Sequence, residues 1–386
     1  MITLSQTTQA IQPSLTRKLF NMAKEYSDVI DFTLGDPDVH PHQAIKDAGC
    51  RAIQEGRTRY SQNAGLLELR ETISHYYLET EGYAYNPQDE IIVTVGAMEG
   101  LYLSLLCLLN PGDEVIIPAP YYVNYVQMVS MCQGVPVIVE SSADLSFDVK
   151  DIESAITPKT KAIIINTPSN PSGKIIPWHK VELLAALAKK HNLVIISDEV
   201  YKCLIYDGKE FRSIVSIEGM RERTVLINSL SKEFCMTGWR VGYVLAPSEL
   251  VSAMTKLQEN VAACTPLPSQ YAAIEALKGG KEYTKNMLSI FNKRRDVLVE
   301  GISSIPLLSC STPEATFYLM VNISATGMKS EEFAVSLLQH AHVAVVPGIS
   351  YGKVCDDYVR MAFTLDETKI EEGIRRIGLF VKTLQR

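Results

Sequence analysis

The chain has 386 residues, 46% apolar and 21% charged, proportions of an ordinary packed protein that exclude a disordered, collagen-like or disulfide-stapled chain. One hydrophobic core stops growing at about 250 to 300 residues, so two domains are expected. Lys and Arg number 37 against 44 Asp and Glu, and the net charge of -7 gives no global positive field to draw the protein to nucleic acid or an anionic membrane.

The eight cysteines are scattered, with no CxxC pair and no histidine at zinc-ligand spacing. They are expected to be reduced and mostly buried, and no metal site is expected. Residues 1–10 carry no basic cluster followed by an apolar stretch. The longest apolar run, 101–109, is interrupted by Ser104 and is too short to span a bilayer. A cytoplasmic protein without a membrane partner is the expectation.

In chain order, the first 43 residues are rich in Ser, Thr, Gln and Pro and hold one amphipathic stretch at 15–26. They have no sheet of their own and are predicted to pack on the second domain. From 44 to 285, apolar β-rich runs at 91–95, 114–117, 135–140, 162–166, 193–197, 224–228 and 241–245 alternate with helical patterns such as 97–109 and 180–190. Continuous apolar stretches such as Ala162-Ile163-Ile164-Ile165 fit strands covered on both faces. An α/β fold with a mostly parallel central sheet follows for this large domain. Beyond 285 come a long charged helix at 286–302, short strands at 316–321 and 343–346, and a closing helix from Glu367. Residues 286–386, with 1–43, are predicted to form a smaller α+β domain.

In open parallel sheets ligands bind beyond the carboxyl ends of the strands, and polar clusters occur where the apolar runs end. Gly96-Ala97-Met98-Glu99-Gly100 opens a helix whose first N–H groups could meet an anion. It is neither a Walker loop nor a GxGxxG fingerprint, and a bare turn remains an alternative. Asn166 to Gly173 hold two asparagines and two prolines that would fix amide groups at the sheet edge, or simply form a turn-rich loop. Asp198 ends another apolar run, where a buried carboxylate needs a donor partner, or where it caps a helix. Ser229-Leu230-Ser231-Lys232 places a lysine beside hydroxyls. An environment that lowers such a lysine below the ordinary value of about 10.4 makes its amine competent to form a Schiff base.

S-L-S-K with M-T-G-W-R-V-G-Y, and N-P-S-G and D-E-V-Y upstream, resembles the fold-type I enzymes dependent on pyridoxal 5'-phosphate. Within them it is similar to the class I/II, aspartate/aromatic-like aminotransferases. The likeness runs from T-L-G-D-P-D near Gly35 to V-V-P-G-I-S-Y-G and Y-V-R-M-A-F near the C-terminus. It implies that Lys232 holds the cofactor as a Schiff base and shuttles the substrate proton. Asp198 would face the pyridine nitrogen, and Asn170 and Tyr201 would donate to the ring's phenolic oxygen. Ser229, Arg240 and the backbone of Gly96, Ala97 and Met98 would grip the phosphate. Tyr122 matches the stacking aromatic, with core packing as the alternative. Tyr60 matches a tyrosine that reaches the neighbouring subunit's phosphate, which implies a homodimer with shared active sites. Arg360 would clamp the substrate α-carboxylate, with a surface salt bridge as the alternative. Gly35 and Asn170 would lie beside the substrate.

The same cofactor site serves carbon-sulfur β-lyases, but M-T-G-W-R-V-G-Y looks more like the transaminases, so transfer between an L-amino acid and a 2-oxo acid is expected. A non-catalytic cofactor-sensing module would carry a DNA-binding domain ahead of the fold, and the negative charge argues against it. Some aspartate-using relatives look as though they place a lysine where this chain has Met98. Methionine suits an apolar or aromatic side chain, so neutral or aromatic donors are expected over aspartate. The alternative is an aspartate aminotransferase in which Lys18 or Arg17 supplies the charge.

Overall fold

The computed structural model describes residues 2–11 and 15–385. Its central feature is a seven-stranded sheet built from β1 (Ile91–Thr94), β2 (Glu114–Pro118), β3 (Val135–Val139), β4 (Thr160–Asn166), β5 (Val194–Asp198), β6 (Thr224–Ser229) and β7 (Gly242–Leu245). The spatial order is β1-β7-β6-β5-β4-β2-β3. All pairings are parallel except those of β7, which runs antiparallel to both its neighbours.

The continuous apolar runs have a simple cause. Successive side chains on a strand point to opposite faces, so Ile163 and Ile165 join one apolar cluster while Ala162 and Ile164 join another. The first cluster is completed by Leu69, Ile73 and Val181 from helices, and the second by Leu101, Leu105 and Met254. Both faces of the sheet's interior are dry.

A further apolar cluster gathers Phe291, Leu298, Phe317, Leu319, Phe333 and Phe380 with Leu19, Ala23 and Phe32 from the N-terminal segment. Leu19 and Ala23 are four residues apart on the helix Leu15–Ala23, one turn on a single face. This cluster surrounds a four-stranded antiparallel sheet of β8 (Ser309–Cys310), β9 (Tyr318–Asn322), β10 (Val346–Pro347) and β11 (Tyr358–Ala362), in the order β10-β11-β9-β8. The helix Glu367–Leu384 packs its Ile370, Ile377 and Val381 on the same cluster.

Three expectations need correction. The single strand at 343–346 is two. Val343–Ala344 pairs in parallel with Ile30–Asp31, while Val346–Pro347 joins β11. Each short piece therefore serves a different sheet. The helix expected at 286–302 is the second half of a run, Leu267–Ser303, interrupted at Gly280, whose φ of 49° and ψ of -135° are not helical. Its first half packs on the large sheet through Ala272, Ala273 and Ala276 and its second half on the further cluster through Met287 and Phe291. The cysteines are all free, but only Cys132 and Cys355 are buried and Cys50 is exposed, because most lie at the margins of the clusters.

Candidate active site

Strand register brings distant residues to one sheet edge. Asn166 lies beside Asp198 across β4 and β5, and Ser229 and Thr94 both lie beside Gly242. Beyond these strand ends is a cavity of about 670 Å³. Gly35, Ala97, Met98, Tyr122, Asn170, Asp198, Tyr201, Ser229, Lys232, Arg240 and Arg360 all line it. Of the residues singled out from the sequence, Gly96 lies just behind Arg240, and Tyr60 is away from the cavity and 86% exposed.

Lys232 sits on the one-turn helix Leu230–Glu233, capped by the Ser229 side chain, which accepts from the Ser231 N–H. Its Nζ donates to the Gly35 carbonyl at 2.6 Å. Burial pushes its amine down to about 8, against the pull of Asp36, which makes the neutral amine accessible near physiological pH. Asp198 is held by the Tyr125 hydroxyl, which donates to Oδ2 at 2.6 Å, and by the Val200 N–H, 3.3 Å from Oδ1. Burial raises this carboxyl to about 6, and the Tyr125 hydrogen bond works the other way. It caps no helix; its backbone bond is a local turn.

A chain of hydrogen bonds links the two ends of the cavity. Asn166 Nδ2 donates to the Asp198 carbonyl at 3.1 Å, and Asn166 Oδ1 accepts from the Asn170 N–H at 2.7 Å. Asn170 Oδ1 accepts from Arg360 Nη1 at 3.1 Å, and Arg360 Nη2 donates to the Thr33 carbonyl at 2.6 Å. Arg360 is 5% exposed, forms no ion pair among the described residues, and leaves its Nε buried without a partner. Its guanidinium lies over the Tyr318 and Tyr351 rings, at 4.3 and 5.3 Å from their centroids. The surface salt bridge is thereby excluded. A buried, aromatic-flanked guanidinium without a counter-ion is a carboxylate receptor in its chemistry.

At the other end, the helix Gly96–Leu108 starts with no side-chain cap, so its first N–H groups are free for an anion. Arg240 Nη1 and Nη2 donate to the Thr237 and Val95 carbonyls at 3.0 and 3.4 Å, beside that helix start. Tyr122 meets Tyr125 edge-on, their ring centroids 5.5 Å apart, and its hydroxyl accepts from Asn124 Nδ2 at 3.2 Å. Asn124 Nδ2 also lies 3.7 Å from the Met98 sulfur. The Tyr201 and Tyr318 hydroxyls are 3.1 Å apart. Gly35 is needed for close approach, since a Cβ there would lie 1.8 Å from the Tyr318 hydroxyl oxygen.

This donor set suits a phosphorylated aromatic aldehyde. It offers an uncapped helix start with an arginine for the phosphate, a depressed amine for the carbonyl and a buried carboxylate for a ring nitrogen. Tyr125, Asn166, Tyr318 and Tyr351 complete it and were not singled out from the sequence. Tyr125 lies within an amphipathic helix and Tyr318 within a strand pattern, where both look like core residues. Asn166, in the loop 166–173, and Tyr351, in V-V-P-G-I-S-Y-G, stand in segments with a legible signal.

Residues 27–377 match the family Aminotransferase class I and II. The chain is 41% identical over 380 residues to the putative aminotransferase YugH of Bacillus subtilis, covering 98% of both chains. It is 36% identical to aromatic-amino-acid aminotransferase 2 of Thermococcus litoralis, again covering 98% of both. The solved aspartate aminotransferase of Thermus thermophilus with maleate superposes with a TM-score of 0.92 at 33% identity, covering 98% of this chain and 100% of that one. The fold and the family are those of fold-type I transferases dependent on pyridoxal 5'-phosphate. The chain belongs to the class I and II aminotransferases. Amino acids and oxo acids are the substrates of this class.

Proposed function

We propose that this aminotransferase moves the amino group of a neutral or aromatic L-amino acid to a 2-oxo acid, and that residues 44–285 and 286–386 with 1–43 are its large and small domains. The observation that carries the substrate preference is the cation inventory of the cavity. Its lining includes three cationic side chains of this chain, Lys232, Arg240 and Arg360, and each has a task in the transfer itself. Met98, which lines the same cavity, offers no partner to a distal carboxylate, and burying an unpaired carboxylate is costly. Lys18 is engaged with Glu331 at 2.9 Å, and the Arg17 side chain lies outside the described residues. The aspartate-using reading draws on the aspartate-named structural relative and needs a cation from elsewhere.

Bound pyridoxal 5'-phosphate supplies the carbonyl that receives the amino group and the ring that accepts the electron pair left by the α-proton. Lys232 would hold the cofactor, and its amine would take and return that proton. Asp198 presents a carboxylate to the ring nitrogen, with Tyr125 fixing its orientation. Asn170 and Tyr201 would donate to the ring's phenolic oxygen, and Tyr122 would cover the ring face. Ser229, Arg240 and the N–H groups of Gly96, Ala97 and Met98 bind the phosphate. Arg360 grips the substrate α-carboxylate beside Gly35. Tyr60, turned to solvent within its own chain, serves the partner's phosphate in a homodimer. A cytoplasmic location is part of this proposal; among the described residues no helix is long and apolar enough to cross a membrane.

The test is the half-reaction. A neutral amino donor should convert the bound cofactor to its amine form, and a 2-oxo acid should reverse it. Release of pyruvate from a cysteine conjugate without any oxo acid would favour the lyase chemistry instead. In Lys232→Ala, a borohydride-reducible lysine adduct should be absent; its persistence would overturn the assignment of Lys232.

A further inference from the structure

The cavity floor has an underside, and one helix touches three of its segments. Lys232 stands on a helix of four residues, too short to hold its own geometry. The next residue, Glu233, is buried and points away from the cavity into the core, where the Tyr76 hydroxyl donates to it. Asn228, which precedes Ser229, donates through Nδ2 to the Tyr77 hydroxyl at 3.2 Å. Lys202, which follows Tyr201, is buried and donates through Nζ to Glu81 at 2.9 Å. Its ammonium also lies 3.8 Å from the centre of the Tyr77 ring. Tyr76, Tyr77 and Glu81 all belong to the helix Leu67–Glu81, whose Leu69 and Ile73 anchor it in the core.

We propose that the helix Leu67–Glu81 is a positioning platform for the transfer, with Tyr76 the positioning residue that acts on Lys232 through Glu233. The proposal rests on the reading of Lys232 as the cofactor's anchor. Replacing buried ionic groups by apolar ones of similar volume is often neutral or stabilising, so stability alone does not account for these contacts, and each one ties a segment beside the cavity to the same helix. A core meant only to be stable would be apolar here. Instead, polar pins occur at the residue adjoining Lys232, at the residue adjoining Tyr201 and at the residue adjoining Ser229. Each pinned residue faces the core while its neighbour in sequence faces the cavity. Rotation of the short helix would break the Tyr76–Glu233 contact and move the Lys232 amine together.

The experiment compares holoenzymes carrying Tyr76→Phe, Tyr83→Phe, Glu233→Gln and Glu233→Ala. Tyr83 is in the same core, and its buried hydroxyl has no partner among the described residues, so Tyr83→Phe reproduces the chemical change without loosening a site segment. A misplacement of 1 Å costs up to about a hundredfold, so Tyr76→Phe is expected to lower kcat about tenfold while KM for the amino donor and Kd for the cofactor stay within about twofold. The pH at which the bound cofactor's visible absorption is half-changed should also move, because the Lys232 nitrogen is displaced. Tyr83→Phe should alter neither kcat nor that midpoint. Glu233→Gln keeps an acceptor for Tyr76 and should stay closer to the parent enzyme than Glu233→Ala in both readouts.

If Tyr76→Phe behaves as Tyr83→Phe does, or Glu233→Gln falls as far as Glu233→Ala, the platform is refuted. If Tyr76→Phe does not fold, the Glu233 pair decides alone. A parallel Lys232→Ala sample separates the two ideas: retention of a covalent adduct there defeats the anchor assignment, whatever Tyr76 does.

Discussion

At the residue scale, Lys232 and Asp198 are both held away from their ordinary ionisation. The Lys232 amine is lowered from 10.5 to about 8 by burial. Below pH 8 the folded and unfolded chains both keep the proton, and the folded state carries the full cost of burying the charge. Between about 8 and 10.5 only the unfolded chain keeps it, so this contribution to stability rises with pH. We therefore expect cofactor-free Lys232→Met to melt above the parent at pH 7, with the gap closing toward pH 10.5. The full effect is on the order of 3 kcal/mol. Thermal denaturation at the two pH values checks this, and equal melting at pH 7 would count against it. Asp198, raised to about 6, has the opposite sign: it costs stability as pH rises from 3.8 through 6. Met98 tests the substrate proposal at the same scale. Met98→Lys should raise kcat/KM for aspartate relative to phenylalanine, about ten- to a hundredfold for one charge-assisted hydrogen bond. No gain would separate Met98 from specificity.

At the scale of elements, the helix Gly96–Leu108 contributes through its first turn. Gly96 has a φ of 75°, and a Cβ there would lie 2.4 Å from Arg240 Nη2. An L-residue in that conformation costs about 1 to 2 kcal/mol, and the displaced guanidinium would leave its place beside the uncapped N–H groups. Gly96→Ala is accordingly expected to weaken cofactor binding about tenfold while the purified protein stays folded. Absorbance titration of the apoprotein measures it, and unchanged affinity would argue against a phosphate at this turn. The strands of the large sheet were legible because several, such as Ala162–Ile165, are continuous apolar runs covered on both faces. The apolar run at 343–346 divides into two strands for an equally physical reason. An apolar string shows that residues are buried but not which partner buries each pair, and here Ile30–Asp31 and β11 share the task.

At the scale of the whole molecule, Tyr60 is the residue whose task a single chain leaves open. It is 86% exposed, large and aromatic, and belongs to the loop that leads into the helix Leu67–Glu81. If it serves a partner's phosphate, mixing inactive Lys232→Ala with inactive Tyr60→Ala should restore activity through hybrid dimers that hold one intact site. Proven subunit exchange without recovered activity would place Tyr60's role within its own chain. The N-terminal segment makes a second long-range tie: Thr33 to Asp36 contact Arg360, Lys232 and Thr237 through Thr33 O, Gly35 O and Asp36 Oδ1. Residues far apart in sequence thus meet beside one cavity.

The amino-acid sequence by itself determined the sheet, the cofactor class and most of the cavity lining, because strand runs and their polar ends are local patterns, and the quoted motifs are short. Lys232, Asp198, Asn170 and Arg240 each stand in such a motif. Tertiary structure decided which residues support them. Tyr125 on Asp198, Tyr318 and Tyr351 about Arg360, and Tyr76 behind Glu233 come from other elements, at separations no periodicity encodes. In the sequence a buried tyrosine has the pattern of any core aromatic. Only packing shows where its hydroxyl goes, since a hydroxyl taken out of water must find a partner across space rather than along the chain.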